Sequence, residues 1–135
     1  MKIDGGCHCG HVKYEADVRD DFVVICHCTD CQKLSAAAYR IVVQSQETDF
    51  KLLNHSPKDY IKISESGAKR VQAFCPECGS HIYATSTENV GERVLNIRLG
   101  SVNQKDQFKP TGQIWCRSPQ PWAFNLEDIP RVEMQ

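Results

Sequence analysis

Apolar residues in this chain recur at every second position in short runs, and nowhere keep the three-and-four spacing of a long helix. Val12, Tyr14 and Ala16 alternate with His11, Lys13 and Glu15, as in a strand with one buried face. Val23, Val24 and Ile25 form a β-branched run that favours extended backbone. Strand character returns in Tyr39 to Val43, Phe50 to Leu53, Tyr60 to Ile63, Val71 to Phe74, His81 to Thr85 and Val94 to Leu99. Between these runs, Asp17 to Asp21 reads as a charged turn, and Asn54, Ser56, Pro57 and Gly67 as turn formers. Gln32 to Ala38 has room for a helical turn or two. Gly100 to Gly112 reads as a loop, and Ile114-Trp115 with Trp122-Ala123-Phe124 as closing pieces. The expectation is a mostly β fold, a single domain of short antiparallel strands over residues 1–135.

Charge narrows the function. Sixteen Lys plus Arg stand against seventeen Asp plus Glu, and the only adjacent basic pair is Lys69-Arg70. A general binder of nucleic acid or anionic membrane would carry a basic stripe, so neither partner is expected. No run of about 18 apolar residues suggests a membrane span. The N-terminal Met-Lys-Ile-Asp-Gly-Gly lacks the apolar core of a secretory signal, which makes the cytoplasm the expected compartment.

Eight cysteines change the picture more than anything else. They are bunched as Cys7-x-Cys9, Cys26-x-Cys28-x-x-Cys31 and Cys75-x-x-Cys78, with Cys116 alone. Four disulfides would suit an oxidising compartment; bunched thiols in a reducing one suit metal ions. Cys9 is followed by Gly10 and Cys78 by Gly79, and glycine there permits the tight turn that aims N–H groups at a thiolate. Pairing Cys7 and Cys9 with Cys75 and Cys78 makes a closed four-sulfur site, although other pairings fit the spacing too. The triplet Cys26, Cys28 and Cys31 is then left one ligand short of a tetrahedron, the mark of an open zinc. If Cys26 and Cys28 continue one strand, their side chains share a face, and a turn at Thr29-Asp30 returns Cys31 to it. Thiolate ligands blunt the acidity of zinc-bound water, and soft zinc prefers a soft incoming donor. A small-molecule thiol therefore fits the open position, and the chemistry suggested is the making or breaking of a carbon–sulfur bond.

Gly6-Cys7-His8-Cys9-Gly10-x-Val12-x-Tyr14-Glu15, then Cys26-His27-Cys28-x-x-Cys31-x-Lys33, Phe74-Cys75-x-x-Cys78-Gly79-Ser80 and Pro121-Trp122, resembles the glutathione-dependent formaldehyde-activating enzyme family. Centromere protein V is similar to that family too. The resemblance implies a β domain with two Zn2+ per chain: a structural zinc on Cys7, Cys9, Cys75 and Cys78, and a catalytic zinc on Cys26, Cys28 and Cys31. It also implies a carbon–sulfur lyase that joins formaldehyde to glutathione. The chain departs from the family where a glycine is frequent, at Ala36-Ala37-Ala38, and where a histidine often precedes the last tryptophan, at Gln113-Ile114-Trp115.

Other residues have plainer readings. His8 and His27 lie between cysteine pairs, and alternation along an extended chain turns them away from the sulfurs. His11 and His81 read as strand residues and His55 as a loop residue. Cys116 reads as a small buried hydrophobe, the alternative being a fourth ligand that closes the triplet. Asp30 reads as a turn former that can also accept a bond beside the open site, and Lys33 and Arg117 as surface charge. Two competing functions stand beside the enzyme: a non-catalytic zinc module for protein or chromatin contact, and a thiol-redox protein using Cys31 or Cys116.

Overall fold

Two long strands form the spine of the computed structural model, which describes residues 1–135. They are β2 (Lys13–Cys26) and β3 (Arg40–Leu52), of 14 and 13 residues. The expected turn at Asp17 to Asp21 is therefore corrected, and two of the expected antiparallel strands run longer than their apolar runs suggest. Alternation of buried and exposed residues persists from Val12 to Val18, so the chain stays extended through the charged stretch. The irregularity survives as slips in the β2–β3 register at Ala16/Val18 and Arg19/Val23. There Ser45 Oγ donates to Asp17 O at 2.7 Å, while Arg19 and Asp21 pair in solvent.

Around this spine lie β1 (Lys2–Gly6), β4 (Lys58–Ile63), β5 (Lys69–Phe74), β6 (His81–Ser86), β7 (Val94–Arg98) and β8 (Gly112–Ile114). β1 is absent from the hydrophobic pattern because its five residues include two glycines. The order β1-β2-β3-β7-β6-β5-β4 makes one antiparallel sheet. The exception is β8, which pairs parallel to β2 at Val24, Ile25 and Cys26. Only one α-helix forms, α1 (Thr29–Ser35), three residues earlier than the sequence suggests. No helix is long and apolar enough to cross a membrane.

Residues opposite one another in a ladder share a face of the sheet. Val23, Val43, Ile97 and Tyr83 are linked in this way and join the main apolar core, with Tyr14, Ile82 and Leu95. Neighbouring positions build the other face: Cys26 opposite Arg40, Val24 opposite Val42, Val42 opposite Arg98, and Gln72 opposite Ala84. That face is polar yet covered, with Arg40, Gln72 and Arg98 all buried. It is the ground on which the second cysteine group stands.

Candidate metal centres

Two groups of thiols converge in the structure. The sulfurs of Cys7, Cys9, Cys75 and Cys78 lie within 4.8 Å of one another, and so do those of Cys26, Cys28 and Cys31. Each group can hold a metal ion. Cys116 is exposed and belongs to neither. It is not the small buried hydrophobe expected of it, because it sits in an exposed turn just after the short strand β8.

The four-sulfur group ties the connection between β1 and β2 to the turn between β5 and β6. Gly10 and Gly79 have φ of +80° and +76°, the left-handed backbone that a side chain resists. Gly79 N donates to Cys75 O at 2.9 Å, Gly10 N to Cys7 O at 3.2 Å, and Val12 N to Cys7 Sγ at 3.2 Å. Neighbouring sulfurs are 3.6 Å (Cys7 to Cys9) and 3.8 Å (Cys9 to Cys75) apart. Corners of a tetrahedron about 2.3 Å from its centre, the zinc–sulfur bond length, are about 3.8 Å apart. The donor set therefore fits a tetrahedral ion. Cys75 is fully buried in the apolar core, and Cys7 packs against that core. Bonding from Ser80, by hydroxyl and amide, draws the Cys78 pKa down to about 5. The His11 amide favours a Cys9 thiolate, but burial and the neighbouring thiols push its pKa up to about 12.

The three-sulfur group is local. Cys26 ends β2, and Cys28 caps the N-terminus of α1, its Sγ accepting from Cys31 N at 3.2 Å. Helical winding, not a strand and turn, therefore returns Cys31 to Cys26. The helix ends at Ala36, which holds a left-handed φ of +50° where a glycine would be relaxed. Bonding to Cys26 is the largest of the effects that draw the Cys31 pKa down to about 5; Cys28, Arg40 and Arg98 act in the same direction. The same Cys31 contact, with burial, pushes Cys26 well up.

A cavity of about 380 Å³ opens over these sulfurs, within the range of small-molecule sites. Asp30 lines it and accepts from Lys62 Nζ at 2.8 Å, and Arg117 lines it and pairs with Glu65 at 3.0 Å. Lys33 lies outside this cavity. Behind the sulfurs, Arg40 Nη1 and Arg98 Nη2 both donate to Gln72 Oε1, at 3.2 and 2.9 Å. Arg40 Nε donates to Cys31 O at 3.3 Å. Burial lowers the Arg98 pKa to about 10, and the Arg40 charge adds to it.

His27 is buried, and its Nε2 lies 2.7 Å from Gln113 Oε1. Its ring packs against Tyr39 and Phe124. Phe124 thus packs on His27 by one edge while staying exposed itself, and Trp115 and Trp122 are half exposed as well.

A family model described as glutathione-dependent formaldehyde-activating enzyme matches residues 2–118. The chain belongs to this family. A crystal structure of a Rhodobacter sphaeroides protein is similar in fold, with a TM-score of 0.60 and 18% sequence identity, over 82% of this chain and 99% of that one. Both cysteine groups lie inside the matched residues, as does the polar face of the sheet. Arg40, Gln72 and Arg98 escaped the reading of the sequence, and Arg70 entered it only as half of the basic pair Lys69-Arg70. Their signal was present as polar residues at period two, Arg70-x-Gln72 and Asn96-x-Arg98, inside runs otherwise read as apolar strands.

Proposed function

We propose that the chain is a zinc-dependent enzyme of carbon–sulfur bond chemistry, acting on a thiol and an aldehyde, glutathione and formaldehyde being the pair the family name prints. The observation that carries this reading is the three-thiol group at a 380 Å³ cavity with no fourth protein donor. Zn2+ held by Cys26, Cys28 and Cys31 would keep a position for a soft donor and would favour the thiolate form of a thiol placed there. The protein's part is to hold that trio in one geometry through the Cys31 N to Cys28 Sγ bond and the Arg40 contact to Cys31 O. It also supplies the Lys62 ammonium at the cavity, whose N–H groups beyond the one given to Asp30 can donate to a carbonyl oxygen. Overall, the thiol sulfur joins the aldehyde carbon and the thiol proton ends on the former carbonyl oxygen; the lyase direction is the reverse.

In the same proposal Cys7, Cys9, Cys75 and Cys78 hold a second, structural zinc, and residues 1–135 act as one domain in the cytoplasm, where thiols stay reduced. Native mass spectrometry with and without glutathione tests the reading. Two zincs per chain and a retained glutathione that is lost in Cys28→Ser are expected. Two zincs with indifference to thiols would overturn the thiol assignment, and one zinc retained equally by wild type and Cys28→Ser would overturn the second site.

A further inference from the structure

The cavity over the three-cysteine group holds more positive charge than its carboxylates balance. Lys62, Arg70, Arg98 and Arg117 line it, against Asp30 and Glu65. Lys62 is taken by Asp30 and Arg117 by Glu65. Arg70 is half-buried and has no ion pair. Arg98 is only 9% exposed; its Nη2 is spent on the Gln72 amide oxygen, and its buried Nε has no partner at all. Arg40, behind it, also leans on Gln72 and not on a carboxylate. Buried guanidinium groups call for counter-charge and for acceptors on each N–H. Three thiolates with one Zn2+ carry a net charge of −1, which offsets one of these three arginines and leaves two.

The register explains why they gather here. Arg98 stands opposite Val42, next along the face from Arg40 opposite Cys26, and Gln72 sits two residues from Arg70 on the same face of β5. One sheet face thus delivers two unmatched guanidinium groups to the cavity that holds the sulfurs.

We propose that Arg70 and Arg98 are the residues that select the thiol accepted at Cys26, Cys28 and Cys31, by forming an anion seat for a carboxylate on the same molecule. The proposal rests on the reading of that group as a thiol site. A guanidinium fork matches a carboxylate in shape as well as charge, whereas a neutral thiol leaves both arginines unanswered.

Calorimetric titration of the zinc-loaded protein with 3-mercaptopropionate, its amide and propionate tests this. The acid thiol is expected to bind about tenfold tighter than the amide, or more, as a charge-assisted pair requires. Arg70→Gln should erase that advantage while keeping amide binding, and Arg98→Lys, which retains a buried cation, should reduce it. Circular dichroism of each variant verifies folding; Arg70→Gln alone decides the matter if Arg98→Lys unfolds. Equal binding of acid and amide by wild type, or an advantage untouched in Arg70→Gln, overturns the seat and leaves the thiol site standing. Propionate binding as tightly as the acid thiol, in an Arg70-dependent way, supports the seat and overturns the thiol site. Failure of all three to bind overturns both.

Discussion

The two cysteine groups have nearly the same ingredients and opposite constructions. The four-sulfur group draws its ligands from segments 66 residues apart, between Cys9 and Cys75, and roots one of them in the apolar core. The three-sulfur group is complete within six residues, at the end of a strand and the start of a helix. Joining distant segments reduces the entropy of the unfolded chain, whereas joining near neighbours reduces it little. The first arrangement therefore suits stability. The second would contribute little to the fold and would leave an ion held there accessible from a cavity, which suits chemistry. Their surroundings differ accordingly: apolar side chains on one side, and Arg40, Arg98 and Gln72 on the other.

The largest expected effect comes from breaking the long-range group. Structural zinc contributes on the order of 10 kcal/mol in small zinc-finger peptides, and that is folding energy. Cys78→Ser, at an exposed ligand that removes no core packing, should lower the melting midpoint by about 10 °C or more. Scanning calorimetry checks it, and an unchanged midpoint would remove the stability side of the contrast.

Cys28→Ser should do the reverse. Serine keeps the helix cap while removing a soft ligand, so stability should change by about 1 kcal/mol or less. Metal analysis should show one zinc per chain, and thiol binding should be lost. A collapse of stability comparable to that of Cys78→Ser would mean that the local group is structural as well.

A site remote from both groups calibrates these effects. Glu47 accepts from the Arg93 guanidinium at 2.5 and 2.8 Å and from the Gly91 amide at 2.7 Å. The Arg93 contact is the chief cause that holds its pKa at about 2, below the ordinary 4.5. A lowered native pKa means that this contribution is complete above pH 4.5 and fades as the pH falls towards 2. Glu47→Gln should cost about 1–2 kcal/mol at neutral pH. Urea unfolding should show the wild type losing that advantage between pH 4.5 and 2, while the variant lacks this share of the pH dependence. A gap between the two that persists at pH 2 would deny the ion pair its role.

The smallest effect sharpens the contrast in backbone. Both knuckles of the four-sulfur group use glycine at positive φ, whereas α1 ends on Ala36 at +50°. Ala36→Gly should relieve that strain and stabilise the chain by up to about 1 kcal/mol. A loss of stability on thermal melting would contradict it.

Local patterns in the sequence were enough for the strands β4, β5, β6 and β7, because alternation along a strand is set by neighbouring residues. They were also enough for the grouping of Cys26, Cys28 and Cys31 and for the glycines at positions 10 and 79, since ligand spacing and left-handed turns are properties of a few consecutive residues. They misled at Asp17 to Asp21, where charge resembled a turn and pairing with β3 kept the strand extended. They misled at Thr29, where capping by Cys28 began a helix inside the triplet.

Tertiary structure alone decided three things. It brought Cys7 and Cys9 to Cys75 and Cys78, which only the pairing of separated strands can do. It left Cys116 outside, on an exposed segment. And it stacked Arg40, Arg98, Gln72 and Arg70 on one covered face, because register between strands, invisible within any one of them, determines which polar residues meet.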